Sequence, residues 1–149
     1  MDFNKKLNII SILLGFVLIL GCSEVPKTGS FGYDVSFLKS HTETIVLKSQ
    51  DNACQLAIAP AYQGRIMTST SQGLAGKSYG WINYDLVASH QFEKHINVFG
   101  GEDRFWLGPE GGQYSIFFAP ETTFTMDNWF TPKAIDTAPF IVKKKELNS

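Results

Sequence analysis

The chain has 149 residues, 44% of them apolar, with 13 basic against 14 acidic side chains and a net charge of −1. That balance removes the electrostatic case for nucleic acid, which needs a concentrated basic face. Two cysteines are too few for a disulfide scaffold, and no CxxC or HExxH spacing marks a metal site.

Lys5 and Lys6 precede an almost wholly apolar run from Leu7 to Leu20. It is short for a bilayer span and the right length for a signal h-region. The run ends in Ile19-Leu20-Gly21-Cys22, which resembles the bacterial lipobox, whose cysteine is lipidated and becomes the first mature residue. The expectation is a lipoprotein signal peptide at 1–21 and a lipid anchor and tether at 22–32. Cys22 would then attach the protein to a membrane of the bacterial cell envelope, outer or periplasm-facing, without crossing it. Removal of the signal leaves 128 residues, a length suited to one domain, at 33–149. Cys54 is then the remaining thiol, and its alternation with Leu56 and Ile58 predicts a buried strand position.

The tether carries Pro26, Gly29 and Gly32 and few large apolar residues. Asp34 can cap a short helical turn bearing Phe37 and Leu38. Strands are then predicted at 44–48, 53–59, 65–70, 81–86, 114–119, 122–126 and 140–143, separated by turn formers at 50–52, 73–76, Pro120 and Pro132. No long amphipathic helix and no repeat is evident, so the pattern predicts an all-β, antiparallel β-sandwich. The chain has 12 Phe, 5 Tyr and 3 Trp, and most are expected between the sheets, including Phe117, Phe118, Phe124, Phe140 and two of the three tryptophans. An indole left at a sheet edge can stack on a sugar ring.

The densest chemistry lies in FGGEDRFWLGPEGGQ, Phe99 to Gln113, where five glycines and a proline frame Glu102, Asp103, Arg104, Trp106 and Glu110. Neither glycine pair fits a phosphate-binding motif, and no helix pattern follows to hold an anion at its N-terminus. Arg104 can give two hydrogen bonds to sugar hydroxyls or a carboxylate, or pair with Glu102, Asp103 or Glu110 to hold the loop. Glu110 can face a substrate or bond nearby amides. Adjacent Glu102 and Asp103 point to opposite faces of an extended chain, so at most one faces a site. His90 and His41 are set aside, and no metal or organic cofactor is implied.

QGRIMTST at 63–70, GWIN at 80–83, the glycine-framed block, NWFTP and AIDT together resemble an uncharacterised bacterial lipoprotein family of the galactose mutarotase-like superfamily, over roughly Tyr33 to Phe140. The resemblance implies a supersandwich whose concave face binds carbohydrate. Active relatives interconvert aldose anomers with a histidine acid and a glutamate base, both within reach of one sugar. Superfamily members run to well over twice this length and draw the glutamate from their later half. The chain is therefore expected to form an incomplete N-terminal half, not catalytic alone, with open edges that favour self-association or a complementing chain. The leading expectation is a carbohydrate-binding lipoprotein, with Arg104, Trp106, Glu110 and Glu102 as sugar contacts and His95 as the catalytic candidate. The alternatives are an aldose 1-epimerase-like enzyme completed by a second polypeptide, and a structural or adhesive β-sandwich lipoprotein.

Overall fold

The computed structural model describes residues 26–146; the expected signal peptide and Cys22 lie outside the described residues. Helix α1, Phe31–His41, is capped by Ser30, whose hydroxyl accepts from the Tyr33 amide at 3.3 Å. Lys39 and His41 in its last turn suit the negative end of the helix dipole. Asp34 is not the cap. It sits buried in the first turn, where its carboxylate accepts from the Ser78 and Tyr84 hydroxyls. Phe31, Val35 and Leu38 share one face, the i, i+4, i+7 spacing of a buried stripe, and join the core.

That core is built on a three-stranded antiparallel sheet in the order β1 (Ile45–Lys48), β2 (Gln55–Ala59), β3 (Arg65–Thr70). In β2, Gln55, Ala57 and Ala59 are buried and alternate with half-buried residues. The register slips opposite Ala57 and Ile58, which pair with Thr68 and Ile66. Met67 is thus an extra residue in β3, and Met67 and Thr68 are both fully buried, as a bulge permits. Tyr62, Ile82, Val87 and Phe99 complete the core, with Tyr62 stacked on Phe99 at 4.0 Å.

The first three predicted strands form as expected, and the later ones do not. At 81–86 the chain makes one bridge, Ile82 to Gly100, and then enters helix α2, Tyr84–Ser89. Asn83 accepts from the Leu86 amide with its side chain and so caps the helix, which overrides the strand pattern. Residues 114–119 and 122–126 lie in turns and loops, with a single bridge between Phe118 and Trp129. Their backbone lacks a neighbouring strand, and an apolar alternation without a ladder partner does not make a strand. At 140–143 the amide of Phe140 donates to Pro60, after which the chain runs exposed to an ion pair between Lys145 and Glu43. A 3₁₀ turn, Met126–Asn128, and the short helix α3, Lys133–Asp136, are the other regular elements of this part.

The outcome is a mixed fold: one small antiparallel sheet packed with helices and long connections, with no second sheet among the described residues. The aromatic expectation is corrected accordingly. Phe117 is buried, but Phe118 is only partly so, and Phe124 and Phe140 are exposed. Trp81 is exposed and Trp106 and Trp129 are half-buried, so none of the tryptophans is a core residue. Cys54 is exposed: the buried face of β2 is Gln55, Ala57 and Ala59, so the face expected to be buried, with Leu56 and Ile58, is the outer one.

Candidate functional site

The glycine-framed block is fastened along the outer edge of β3. The amide of Glu102 donates to Ile66 O at 2.8 Å, the amide of Ile66 donates to Asp103 O at 3.1 Å, and the two segments make an antiparallel bridge. The Glu102 carboxylate accepts from both the amide and the hydroxyl of Ser69, at 2.5 and 2.8 Å. Glu102 therefore holds the block to the sheet. Gly100 and Gly101 have φ of +90° and +105°, and a Cβ on Gly100 would stand 2.2 Å from the Trp81 carbonyl oxygen. These glycines serve close backbone approach, not an anion.

Beyond Asp103 the chain leaves the sheet, and Arg104 turns back into the protein. Its Nη2 donates to Ile135 O at 2.7 Å and lies 3.8 Å from the Asp136 carboxylate, while the guanidinium stacks 4.1 Å from the Trp106 ring. Of the two roles open to Arg104 the ion pair is the one seen, though its partner is Asp136 and not an acid of the block. Burial holds its pKa below the usual arginine value, and the Asp136 charge acts against that shift.

Trp106 Nε1 donates to the Glu110 carboxylate at 2.6 Å, so Glu110 is engaged with an indole, not with backbone amides. The Trp106 ring lies 5.3 Å from Phe117, and Phe117 stacks on Trp129 at 5.1 Å with planes 13° apart. Such pairs add about 0.5–1.5 kcal/mol each beyond their burial. Arg104, Trp106 and Glu110 thus form one continuous layer through Phe117 to Trp129.

On the other side of that layer is a cleft of about 540 Å³ whose walls come from three segments: Phe92 to Asn97, Ile116 to Ala119, and Phe130 to Thr137. Hydrogen bonds stitch the segments together. Thr131 N donates to His95 O at 2.9 Å, Phe130 N donates to Phe117 O at 2.8 Å, and His95 Nδ1 bonds the Trp129 carbonyl at 2.6 Å. A carbonyl accepts only, so Nδ1 carries the proton and Nε2 is the ring nitrogen left for a ligand. The His95 ring also packs 4.8 Å from Phe130. Thr131 is 8% exposed, and its buried hydroxyl has no partner.

Asp136 closes the back of the cleft. It is 3% exposed, and its oxygens accept from the Asn97 amide at 3.1 Å and from Asn97 Nδ2 at 2.7 Å. Behind it lies Arg65, 2% exposed, whose Nη1 donates to Gly100 O at 2.7 Å while Nε and Nη2 have no partner. Burial, and then the Arg104 charge, push the Arg65 pKa down to about 10, with Asp136 pulling the other way.

Of the residues expected at a site, only His95 lines the cleft. Arg104 and Trp106 act one layer behind it, through Asp136 and Phe117, and Glu102 is at the sheet edge. Asn97, Thr131 and Asp136 were not anticipated, although NWFTP and AIDT carry two of them. Among the described residues no three His, Cys, Asp or Glu side chains are grouped to hold a metal, and no helix is long and apolar enough to cross a membrane.

Comparison with known proteins gives two findings. The heme transporter BhuA of Brucella ovis and that of Brucella abortus are each 28% identical over 112 residues, covering 71% of this chain and 17% of the transporter. The chain thus spans about a sixth of the length of these curated relatives. No solved structure matches. A family profile described as a family of unknown function, DUF6786, matches residues 29–149, and the chain belongs to that family.

Proposed function

We propose that this protein is a carbohydrate-binding lipoprotein, with the cleft around His95 as its saccharide site and the three-stranded sheet as part of a galactose mutarotase-like sandwich. The observation that carries the reading is the cleft itself. Aromatic rings of Phe118 and Phe130 stand beside an imidazole with a free nitrogen and a buried, unpartnered threonine hydroxyl. Sugars present apolar ring faces and a rim of hydroxyls, and this mixture of surfaces suits both. Arg104, Trp106 and Glu110 support the walls without touching the ligand.

Binding without catalysis is the activity this geometry favours. Proton transfer at an anomeric centre needs an acid and a base on one sugar, and the Asp136 oxygens are taken by Asn97 and the Arg104 charge. The signal sequence and Cys22 support attachment to the cell envelope by a lipid. The many exposed apolar side chains after Phe105, among them Tyr114, Phe124, Met126 and Ile141, support a complementing chain or self-association.

The test is a titration of the full-length protein with a saccharide panel, read by tryptophan fluorescence and calorimetry. Binding that is lost in Thr131→Val and His95→Ala is the expected result. A panel without response overturns the proposal, as does a hemin titration that gives a Soret shift where no sugar binds. Polarimetry on fresh α-galactose is expected to show the buffer rate of mutarotation, and a faster rate would restore the enzyme reading.

A further inference from the structure

The charges around the cleft are uneven. Four charged side chains line it: Lys94, Lys133, Glu93 and Asp136. Asp136 is spent on Arg104 and Asn97, which leaves two ammonium groups against one carboxylate. Neither lysine is in an ion pair among the described residues, and both are exposed at the cleft rim. Lys94 Nζ lies 5.7 Å from the centroid of Phe130, the ring on which a sugar would rest.

We infer that the cleft selects an acidic saccharide, a uronate whose carboxylate meets Lys94 and Lys133 while its ring lies on Phe130 and a hydroxyl accepts or donates at Thr131. This rests on the saccharide reading of the same cleft and adds the ligand class. A neutral hexose would use the aromatic wall and Thr131 alone. A uronate adds charge-assisted hydrogen bonds to the ammonium groups, which are stronger than neutral ones. A sugar carboxylate also tolerates flexible lysine donors, which act as point charges and need no fixed bidentate fork.

The experiment titrates the full-length protein with galacturonate and glucuronate disaccharides and with their neutral galactose and glucose counterparts, at low and high salt. The acidic sugars are expected to bind about tenfold more tightly at low salt, with the advantage shrinking as salt is raised. In the Lys94→Gln, Lys133→Gln double variant, whose substitutions are on the surface, the ratio of acidic to neutral affinity is expected to fall to about twofold or less. Equal or tighter binding of the neutral sugars overturns the inference and leaves the saccharide site standing. Failure of both sets to bind overturns the two together. A uronate preference unchanged in the double variant overturns the assignment to these lysines.

Discussion

Asp136 is the residue on which the cleft and the glycine-framed block both depend, and truncating it tests the arrangement most directly. In Asp136→Ala the buried Asn97 amide loses its acceptor, Asn97 Nδ2 keeps only the Glu93 carbonyl at 3.3 Å, and Arg104 loses the carboxylate 3.8 Å away. An orphaned buried donor costs about 1–3 kcal/mol, and breaking a fully buried pair from one side costs about 3–5 kcal/mol, an upper bound here because Arg104 is only partly buried. These losses share one site and do not add, so the expected destabilisation is about 2–4 kcal/mol. A domain of this size has roughly 6–18 kcal/mol in total, so the variant should remain folded near room temperature. Asp136→Asn keeps the shape and one acceptor oxygen and should lose less than the alanine variant. Urea unfolding monitored by circular dichroism gives the numbers. A loss under about 0.5 kcal/mol for Asp136→Ala would refute the claim that Asn97 and Arg104 depend on it.

Three further outcomes are expected. Tyr84 has its phenol pKa raised, first by burial and then by its hydrogen bond to Asp34, so the fold favours the neutral phenol. That stabilisation is complete below the unfolded tyrosine value of about 10 and is lost as pH rises beyond it. Tyr84→Phe should therefore lower the melting temperature at pH 8 and lessen the further fall between pH 8 and pH 10.5, and an equally steep fall in the variant would contradict this. Gly100→Ala places a methyl against the Trp81 carbonyl at a φ of +90°, and a loss of about 2–3 kcal/mol or failure to fold is expected; a wild-type melting curve would show that the close approach is not needed. Cys54, being exposed, should react with a disulfide reagent in the native protein, and reaction only after urea is added would return it to the interior.

The early part of the chain was legible because its interactions are local. The strand at 65–70 forms with the predicted limits, and 44–48 and 53–59 differ by one or two residues, since each has an adjacent antiparallel partner a short turn away. The spacing predicts only a turn where the helix runs over 31–41. Its cap, Ser30, lies within the expected tether, and the burial of Asp34, which excludes it as the cap, cannot be read from spacing. At 84–89 the helix signal is an Asn before an acidic first turn, but the apolar residues around it predict a strand. After Phe105 the apolar alternation misled, because a strand is decided by its partner and the described residues supply none.

The sequence by itself determined the near-neutral charge, the single thiol remaining if Cys22 is lipidated, the first three strands, and the place where chemistry is densest. Only the tertiary structure decided what that chemistry does. Arg104 has a delocalised positive charge, a planar face and hydrogen-bond donors, and all three fit a sugar as well as they fit Ile135, Trp106 and Asp136. Which set it meets depends on the helix at 133–136, about 30 residues further on, being folded against it. His95, ranked behind Arg104 on sequence, lines the cleft because the carbonyl that fixes its ring belongs to Trp129, equally distant in the chain. Long-range contacts of this kind leave no spacing or period in the sequence, and so the site's walls and its lining were distinguishable only once the chain was folded.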